Sequence, residues 1–162
     1  MKSQDIRIIP TLLLKDKSLV KTKRFSKFQY VGDPCNTVRI FNELEVDELL
    51  FLDIDASKNG KKINFKLLRD IADECFMPLA YGGGIRTLED AKTIFSIGFE
   101  KIVLNTYAYE KKFLIKEIAD YFGSQSVIVS IDVKEDFFKK KNVYKYSCTI
   151  FKKFIVICSY YY

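Results

Sequence analysis

The sequence contains no histidine and no tryptophan, and it has only 3 prolines and 7 glycines in 162 residues. Without histidine, Ser/His and Cys/His catalysis are excluded, so any acid–base chemistry must use Asp, Glu, Lys, Tyr or Cys. The 4 cysteines are scattered without a CxxC pair, which together with the missing histidines argues against a zinc site. We therefore expect no bound metal, and cysteines that are reduced and structural.

Long apolar runs are absent as well. No stretch approaches the ~20 apolar residues of a membrane helix, and residues 1–10 lack the apolar segment of a secretory signal. These absences predict a cytoplasmic location and no membrane partner. The 48% of hydrophobic and 30% of charged residues are typical of a globular domain with its own core.

Net positive charge is nearly absent outside the C-terminal tail, although the whole chain carries +6. Residues from Val133 to Tyr162 carry +5 of it, which leaves +1 for the rest of the chain. A nucleic-acid-binding domain needs basic residues on a folded surface, so we expect no nucleic-acid partner. The basic, aromatic tail beyond Asp136 could bind nucleic acid by charge and stacking, but the abrupt loss of the preceding pattern favours a divergent, frameshifted end.

The chain before that tail alternates between apolar, strand-like runs and amphipathic, helix-like segments. The polar, basic region Lys15–Lys27 is predicted to be a loop. Strict strand–helix alternation predicts a parallel sheet with helices packed against it, and this pattern fits both a (βα)8 barrel and an open doubly wound sheet. The predicted strands are Ile6–Leu14, Asp47–Ile54, Pro78–Tyr81, Lys101–Leu104 and Ser126–Val133, and the predicted helices are Pro34–Glu45, Ile63–Cys75, Leu88–Ile97 and Tyr109–Phe122.

The stretch from Pro78 to Thr106 is the most informative part of the chain. Three consecutive glycines, at positions 82 to 84, follow its first strand, and Thr87 has the character of a helix N-cap. Glycines between a strand and a helix let backbone N–H groups approach an anion closely. A phosphate cradle is therefore one prediction, and a tight turn without a ligand is the alternative.

Five segments of the chain resemble one known family. They are RIIPTLLLKDKSLVK, VGDP, DELLFLDIDAS, PLAYGGGIRTLEDAKTIFSIGFEKIVLNT and FGSQSVIVSIDVK, in this order between Arg7 and Lys134. Together they look like the cyclase subunit of imidazole glycerol phosphate synthase, the HisF type. The resemblance implies a TIM-barrel type (βα)8 fold, of which residues 1–136 would supply the N-terminal half, with about four βα units and a fifth strand. Residues 137–162 would then be a divergent, irregular tail.

The resemblance also implies a function. In that family, ammonia from a glutaminase subunit crosses the barrel and reacts with a substrate that carries two phosphates, giving imidazole glycerol phosphate and an aminoimidazole carboxamide ribotide in histidine biosynthesis. This chain would then be a cytoplasmic lyase without a cofactor. Its partners would be a HisH-like glutaminase and a phosphorylated small-molecule substrate.

The resemblance assigns residues to the active site at the carboxyl ends of the strands. Gly84, Asn105 and Thr106 correspond to positions that hold one substrate phosphate, and Asp132 corresponds to one of two catalytic aspartates. Lys21 corresponds to a lysine near the active-site loop. The alternative interpretation of Asp132 is a strand-end carboxylate that caps the next loop. Lys21 alone would be read as a solvated charge.

At the opposite end of the barrel, the family has a ring of four charged residues around the ammonia entrance. Arg7, Glu48 and Lys101 correspond to three of them. Each lies near the amino end of a predicted strand. A salt-bridge cluster that merely plugs the barrel is the alternative interpretation.

The chain departs from the family at Leu13, where a HisF-type cyclase has its other catalytic aspartate. Asp16 lies three residues along and does not occupy that position. Leucine cannot transfer a proton, and the LLLK segment resembles a paralogous group associated with surface polysaccharide (lipopolysaccharide) synthesis. That group is thought to pass ammonia to a sugar amidotransferase, which makes this enzyme a second expected partner. A fragment that binds the glutaminase without catalysis is a third interpretation.

The half-barrel is expected to have open edges. In an open sheet of five parallel strands, the two edge strands each have unpaired backbone groups along their outer side. We therefore expect this chain to self-associate into a barrel-like core or to be poorly stable alone, unless it is the product of a disrupted gene.

Overall fold

The computed structural model describes residues 9–23, 27–56, 60–135, 141–144 and 153–159. Helices and strands alternate along most of this range, and the main sheet is parallel. The strands are β1 Thr11–Lys15, β2 Ser18–Lys23, β3 Lys27–Gly32, β4 Leu49–Asp53, β5 Leu79–Gly82, β6 Lys101–Leu104, β7 Val127–Glu135, β8 Lys141–Tyr144 and β9 Lys153–Ser159, and the α-helices are α1 Pro34–Glu43, α2 Phe65–Asp73, α3 Leu88–Ile97, α4 Thr106–Glu110 and α5 Lys112–Phe122.

The centre of the sheet is the parallel series β1, β4, β5, β6 and β7, paired in that order. The hairpin of β2 and β3 continues the sheet antiparallel beyond β1. The predicted α/β class and its succession of βα units are confirmed. The described strands form an open sheet that ends at β3 on one side and beyond β7 on the other.

Strand β7 has partners on both of its edges. β6 pairs with residues 127–129, and β8 pairs with residues 132–135. β9 pairs antiparallel with residues 128–134, so it takes the edge opposite to β6 and β8. Two strands of the tail, which the sequence pattern indicates to be irregular, therefore extend the sheet around β7.

Local side chains explain where the helices begin. Asp33 caps α1 by accepting the N–H of Asn36 at 3.0 Å, with Pro34 as the first helical residue. Asn64 caps α2 through the N–H of Leu67 at 3.1 Å. These caps fix the helix starts, and the predicted start of the first helix at Pro34 is confirmed.

The expected loop at Lys15–Lys27 is wrong, because most of it forms the β2–β3 hairpin. Asp16 adopts a φ of 57° in the two-residue turn after β1. Leu19 is buried in the core, whereas Lys21 is exposed on the same strand. Lys21 thus lies at a solvent-exposed position of a strand on which Leu19 points inward.

The predicted helix Tyr109–Phe122 is also corrected. The chain forms α4 directly after β6 and then a separate helix, α5. Lys111 separates them with φ −131° and ψ 71°, outside the helical region. α5 ends at Phe122, which is the predicted end of the helix, and Gly123 follows it.

The sheet buries apolar residues on both faces. Successive residues of a strand point to opposite sides, so Phe51 packs towards the helices with Val38 and Ile71, whereas Leu50 and Val103 pack on the other face. In a (βα)8 barrel the face without helices becomes the interior. No helix in the described part of the chain combines the length and apolar character that crossing a bilayer requires.

Candidate functional site

The glycine turn between β5 and α3 packs tightly against the end of β4. A Cβ atom on Gly83 would lie 2.5 Å from the carbonyl oxygen of Asp53, and one on Gly84 would lie 2.8 Å from Cβ of Ala56. A Cβ on Gly82 would approach side chains of both neighbouring strands to 2.8 Å. Gly83 and Gly84 also have φ values of 127° and 69°. Packing and backbone conformation therefore require these glycines whether or not an anion binds.

The N-terminus of α3 is capped by its own side chains. Thr87 and Asp90 form a capping box, in which the Thr87 side chain accepts the N–H of Asp90 at 3.1 Å. The Asp90 carboxylate accepts the N–H groups of Arg86 at 2.9 Å and of Thr87 at 3.0 Å. With Glu89 and Asp90 in its first turn, α3 offers little attraction to an anion. A phosphate at this end of the sheet would depend on the glycine turn and the loop after β6.

The other two predicted phosphate-binding residues follow β6 directly. β5 pairs with β6 and β6 with β7, which places Asn105 and Thr106 between the glycine turn and the end of β7. Asn105 Nδ2 donates a hydrogen bond of 3.4 Å to Oγ of Ser130. Thr106 is 9% exposed and begins α4. The predicted phosphate residues are therefore neighbours at the carboxyl ends of adjacent strands.

The predicted catalytic residue Asp132 lies in β7, three residues beyond the last residue that pairs with β6. Its backbone pairs with Tyr144 of β8 and Ile155 of β9. The position of its side chain is outside the described part of the structure. Its catalytic role stays a prediction.

Leu13 lies on the face of the sheet without helices. Leu14, its neighbour in β1, is buried in the helix-facing cluster, so Leu13 points the other way. In register, Leu13 is paired with Leu52 of β4. Two leucines thus stand side by side where the family resemblance would require an acidic side chain.

Asp53 closes the turn that follows β4. Its Oδ1 accepts the N–H groups of Asp55 and Ala56, both at 3.0 Å. Burial raises the pKa of the Asp53 carboxyl, and the two backbone hydrogen bonds oppose that rise. This carboxylate therefore stabilises the backbone against which Gly83 packs.

A charged cluster at the same end joins two loops. Lys61 Nζ lies 2.5 Å from Oδ1 of Asp16 and 3.1 Å from Oδ2 of Asp55. Its hydrogen bond lowers the pKa of the Asp16 carboxyl, and the same bond raises the pKa of Lys61. Sequence patterns did not identify this cluster, because Asp16 and Lys61 are 45 residues apart.

Lys21, predicted near the active-site loop, is exposed on β2 and is paired in register with Gln29 of β3. It therefore stands on a hairpin beside the parallel strands. A separate cleft of about 620 Å³, lined by residues 86–88, 109–114 and 117, opens between the start of α3 and the α4–α5 junction. None of the predicted phosphate-binding residues lines this cleft.

At the amino ends of the strands, the structure brings together two of the three predicted entrance residues. Lys101 Nζ lies 2.5 Å from Oε2 of Glu48, and the side chains are 24% and 2% exposed. Both residues share strand parity with the cluster of Leu50 and Val103, which places them on the face without helices. Glu48 Oε1 has no hydrogen-bond partner among the described residues. The third residue, Arg7, lies outside the described range.

Comparison with known proteins identifies the family. Residues 7–154 match the model of the family described as histidine biosynthesis protein. The chain is 56% identical over 138 residues to "Putative imidazole glycerol phosphate synthase subunit hisF2" of Pseudomonas aeruginosa, which covers 85% of this chain and 55% of that protein. It is 54% identical to a similarly named HisF protein of Leptospira borgpetersenii, covering 80% of this chain and 51% of that protein.

One relative has a name without the word "Putative". It is imidazole glycerol phosphate synthase subunit HisF of Methanococcus vannielii, which is 42% identical over 84% of this chain and 50% of its own length. The chain thus spans about half the length of the curated relatives it matches. The chain belongs to the histidine biosynthesis protein family, as a paralogue of the HisF type.

Proposed function

We propose that this chain supplies one phosphate-binding site and the ammonia entrance of an imidazole glycerol phosphate synthase cyclase. The observation that carries the proposal is the pairing of Glu48 with Lys101 on the face without helices, at the end of the sheet opposite to the glycine turn. A barrel that receives ammonia and holds a phosphorylated substrate requires an entrance at one end and a phosphate site at the other.

The proposed chemistry assigns distinct roles at the carboxyl ends of the strands. Gly84, Asn105 and Thr106 hold one substrate phosphate through backbone and side-chain donors. Asp132 transfers a proton to or from a nitrogen of the substrate, because a carboxylate is among the few groups able to do so in a chain without histidine. In this proposal, Lys21 on the neighbouring hairpin is a positively charged residue close to the active-site loop.

The partner at the amino ends is a HisH-type glutaminase. Leu44 and Phe76 are 64% and 90% exposed in the connections that lead into β4 and β5. The side chain of Asn42 ties these connections together, donating to the carbonyl of Glu74 at 2.7 Å and accepting the N–H of Phe76 at 3.1 Å. Exposed apolar side chains held in place beside a charged entrance suit a protein–protein contact.

The substitution Phe76→Ser tests this partner. It should weaken binding of a HisH-type glutaminase about tenfold, since loss of one aromatic interface residue typically costs 1 kcal/mol or more. Isothermal titration calorimetry on the full chain measures it. The matched control is Phe113→Ser, because Phe113 is 81% exposed but lies at the start of α5, at the carboxyl end. Equal binding by the wild type and the Phe76 variant would overturn the proposed docking face.

Leu13 favours a second candidate function, in which the chain passes ammonia to a sugar amidotransferase and does not cyclise. An apolar pair at Leu13 and Leu52 provides no proton donor on the interior face. The substitution Leu13→Asp separates the candidates when introduced into this chain joined to the second half of the Pseudomonas aeruginosa relative. Ammonia-dependent cyclisation that rises at least tenfold supports the cyclase framework. No gain, with glutaminase binding intact, supports ammonia transfer or a non-catalytic binding role.

A further inference from the structure

We propose that Arg86 is the positioning residue of the phosphate site, holding the loops after β4, β5 and β6 in one arrangement. This inference rests on the proposed function, in which Gly84, Asn105 and Thr106 bind a substrate phosphate. Arg86 lies two residues after Gly84, in the connection to α3. It acts through its neighbours and does not itself touch the substrate.

The guanidinium of Arg86 binds the same residues against which Gly84 packs. Its Nη2 donates to the carbonyl oxygens of Ala56 and Lys61, each at 3.3 Å. A Cβ on Gly84 would lie 2.8 Å from Cβ of Ala56 and 3.7 Å from that Lys61 carbonyl oxygen. Since Arg86 fixes these two backbone positions, it also fixes the surface that determines the position of Gly84.

Contacts on the other side of Arg86 reach the loop after β6. Lys111 Nζ donates to the carbonyl oxygen of Arg86 at 3.2 Å. The Arg86 guanidinium and the Lys111 ammonium each lie 5.9 Å from the ring centroid of Tyr107, within the range of a cation–π contact. Tyr107 directly follows Thr106, so the ring connects Arg86 to a predicted phosphate donor.

The main chain of Arg86 is held as well, because its N–H donates to the Asp90 carboxylate at 2.9 Å. Its side chain therefore starts from a fixed point and ends on two carbonyls. The buried Nε has no hydrogen-bond partner among the described residues, so the guanidinium is placed here by the two hydrogen bonds of Nη2 and by its ring contact. A lysine would keep the charge, but its flexible ammonium lacks the rigid planar group that holds both contacts in one geometry.

This difference between arginine and lysine provides the test. Full-length chain labelled with ¹⁵N is titrated with ribose 5-phosphate at constant ionic strength, and the amide shifts of Gly84, Asn105 and Thr106 give the dissociation constant. If Arg86 acts by position, Arg86→Lys should weaken binding about tenfold, as much as Arg86→Met does. If Arg86 acted only by attracting the anion, Arg86→Lys would bind like the wild type, and the inference would be overturned.

Arg39→Lys is the matched control. Arg39 also donates two hydrogen bonds, from Nε and Nη2 to the carboxylate of Glu74 at 2.8 and 2.7 Å, at the opposite end of the sheet. Its replacement tests the effect of losing two arginine hydrogen bonds without touching the phosphate loops. We expect the phosphate affinity of this variant to stay within twofold of the wild type, and an equal loss in both lysine variants would contradict a specific role of Arg86.

A milder variant keeps the test decisive if the Arg86 variants do not fold. Lys111→Gln removes the exposed contact to the Arg86 carbonyl and should weaken ribose 5-phosphate binding two- to threefold, with the largest shift change at Thr106. Unchanged affinity in that variant would overturn the inference. Absence of saturable shifts in the wild type would instead overturn the proposed phosphate site itself.

Discussion

The two ends of the parallel sheet are held together in different ways. At the carboxyl end, beside the charged cluster of Lys61, the glycine turn is held through backbone atoms: Gly83 packs on the carbonyl of Asp53, and Arg86 binds two further carbonyls. At the amino end, the central contact is a pair of side chains, Glu48 and Lys101. Backbone contacts depend on the shape of every residue involved, whereas a side-chain pair can be exchanged as a unit.

This difference suits the roles that we propose for the two ends. A phosphate has a fixed shape, and a site that recognises it needs loops with fixed positions. An entrance for a small neutral molecule needs charge and a narrow opening, which paired side chains provide. The comparison predicts that substitutions at the carboxyl end act through conformation, and substitutions at the amino end through charge.

The largest effect is expected for Gly83→Ala. Its Cβ would overlap the Asp53 carbonyl, and the φ of 127° is unfavourable for alanine, so the free energy of unfolding should fall by about 4 kcal/mol. Urea denaturation measures this loss. Gly60→Ala is the control, because Gly60 also has a positive φ but no atom lies within 4 Å of its hypothetical Cβ. A loss of the same size at Gly60 would show that the positive φ alone, without the close contact to Asp53, explains why alanine is not tolerated in the glycine turn.

The next effect concerns the buried ion pair. Lys101→Met leaves the carboxylate of Glu48, 2% exposed, without its described partner, and should cost about 3 kcal/mol of unfolding free energy. Glu48→Gln leaves a lysine that is 24% exposed and retains contact with water, so it should cost less. Denaturation of both single variants and of the double variant measures the coupling. Equal losses in the two single variants would contradict the asymmetric burial of the pair.

The smallest expected effect is a pH dependence of the free energy of unfolding that comes from Asp53. Burial raises the pKa of this carboxyl above its ordinary value of 3.8, so the folded protein binds the proton more tightly than the unfolded chain. The resulting stability is present below the unfolded pKa and is lost as pH rises through the folded pKa. Relative to Asp53→Asn, the wild type should therefore lose stability as pH rises from about 4. Denaturant titrations at several pH values measure this difference, and a relative gain with rising pH would contradict it.

Sequence patterns predicted the elements that are marked by local signals. The bounds of Leu88–Ile97 and Lys101–Leu104 are confirmed, because Thr87 caps the helix and Gly98, with a φ of 120°, ends it. The β2–β3 hairpin was missed because exposed lysines mask the apolar signal of Leu19, which is buried. The break at Lys111 was missed because neither glycine nor proline marks it.

The candidate site was predictable only in part. The resemblance placed Glu48 and Lys101 near each other, but no sequence pattern indicates that one is almost fully buried and the other is not. Arg86 escaped notice because its contacts, to Ala56 and to Lys111, come from loops 30 and 25 residues away. The roles of Asp132 and Arg7 stay predictions.

One measurement tests the division between the two ends directly. Amide shifts of ¹⁵N-labelled chain are recorded first with ribose 5-phosphate and then with a HisH-type glutaminase. The phosphate should perturb Gly84, Asn105 and Thr106 and leave the first residues of β4 and β5 unchanged, and the glutaminase should do the reverse, with its largest effects near Phe76. Perturbation of the same residues by both ligands, or of neither set by the phosphate, would contradict a phosphate site and a glutaminase face at opposite ends of this sheet.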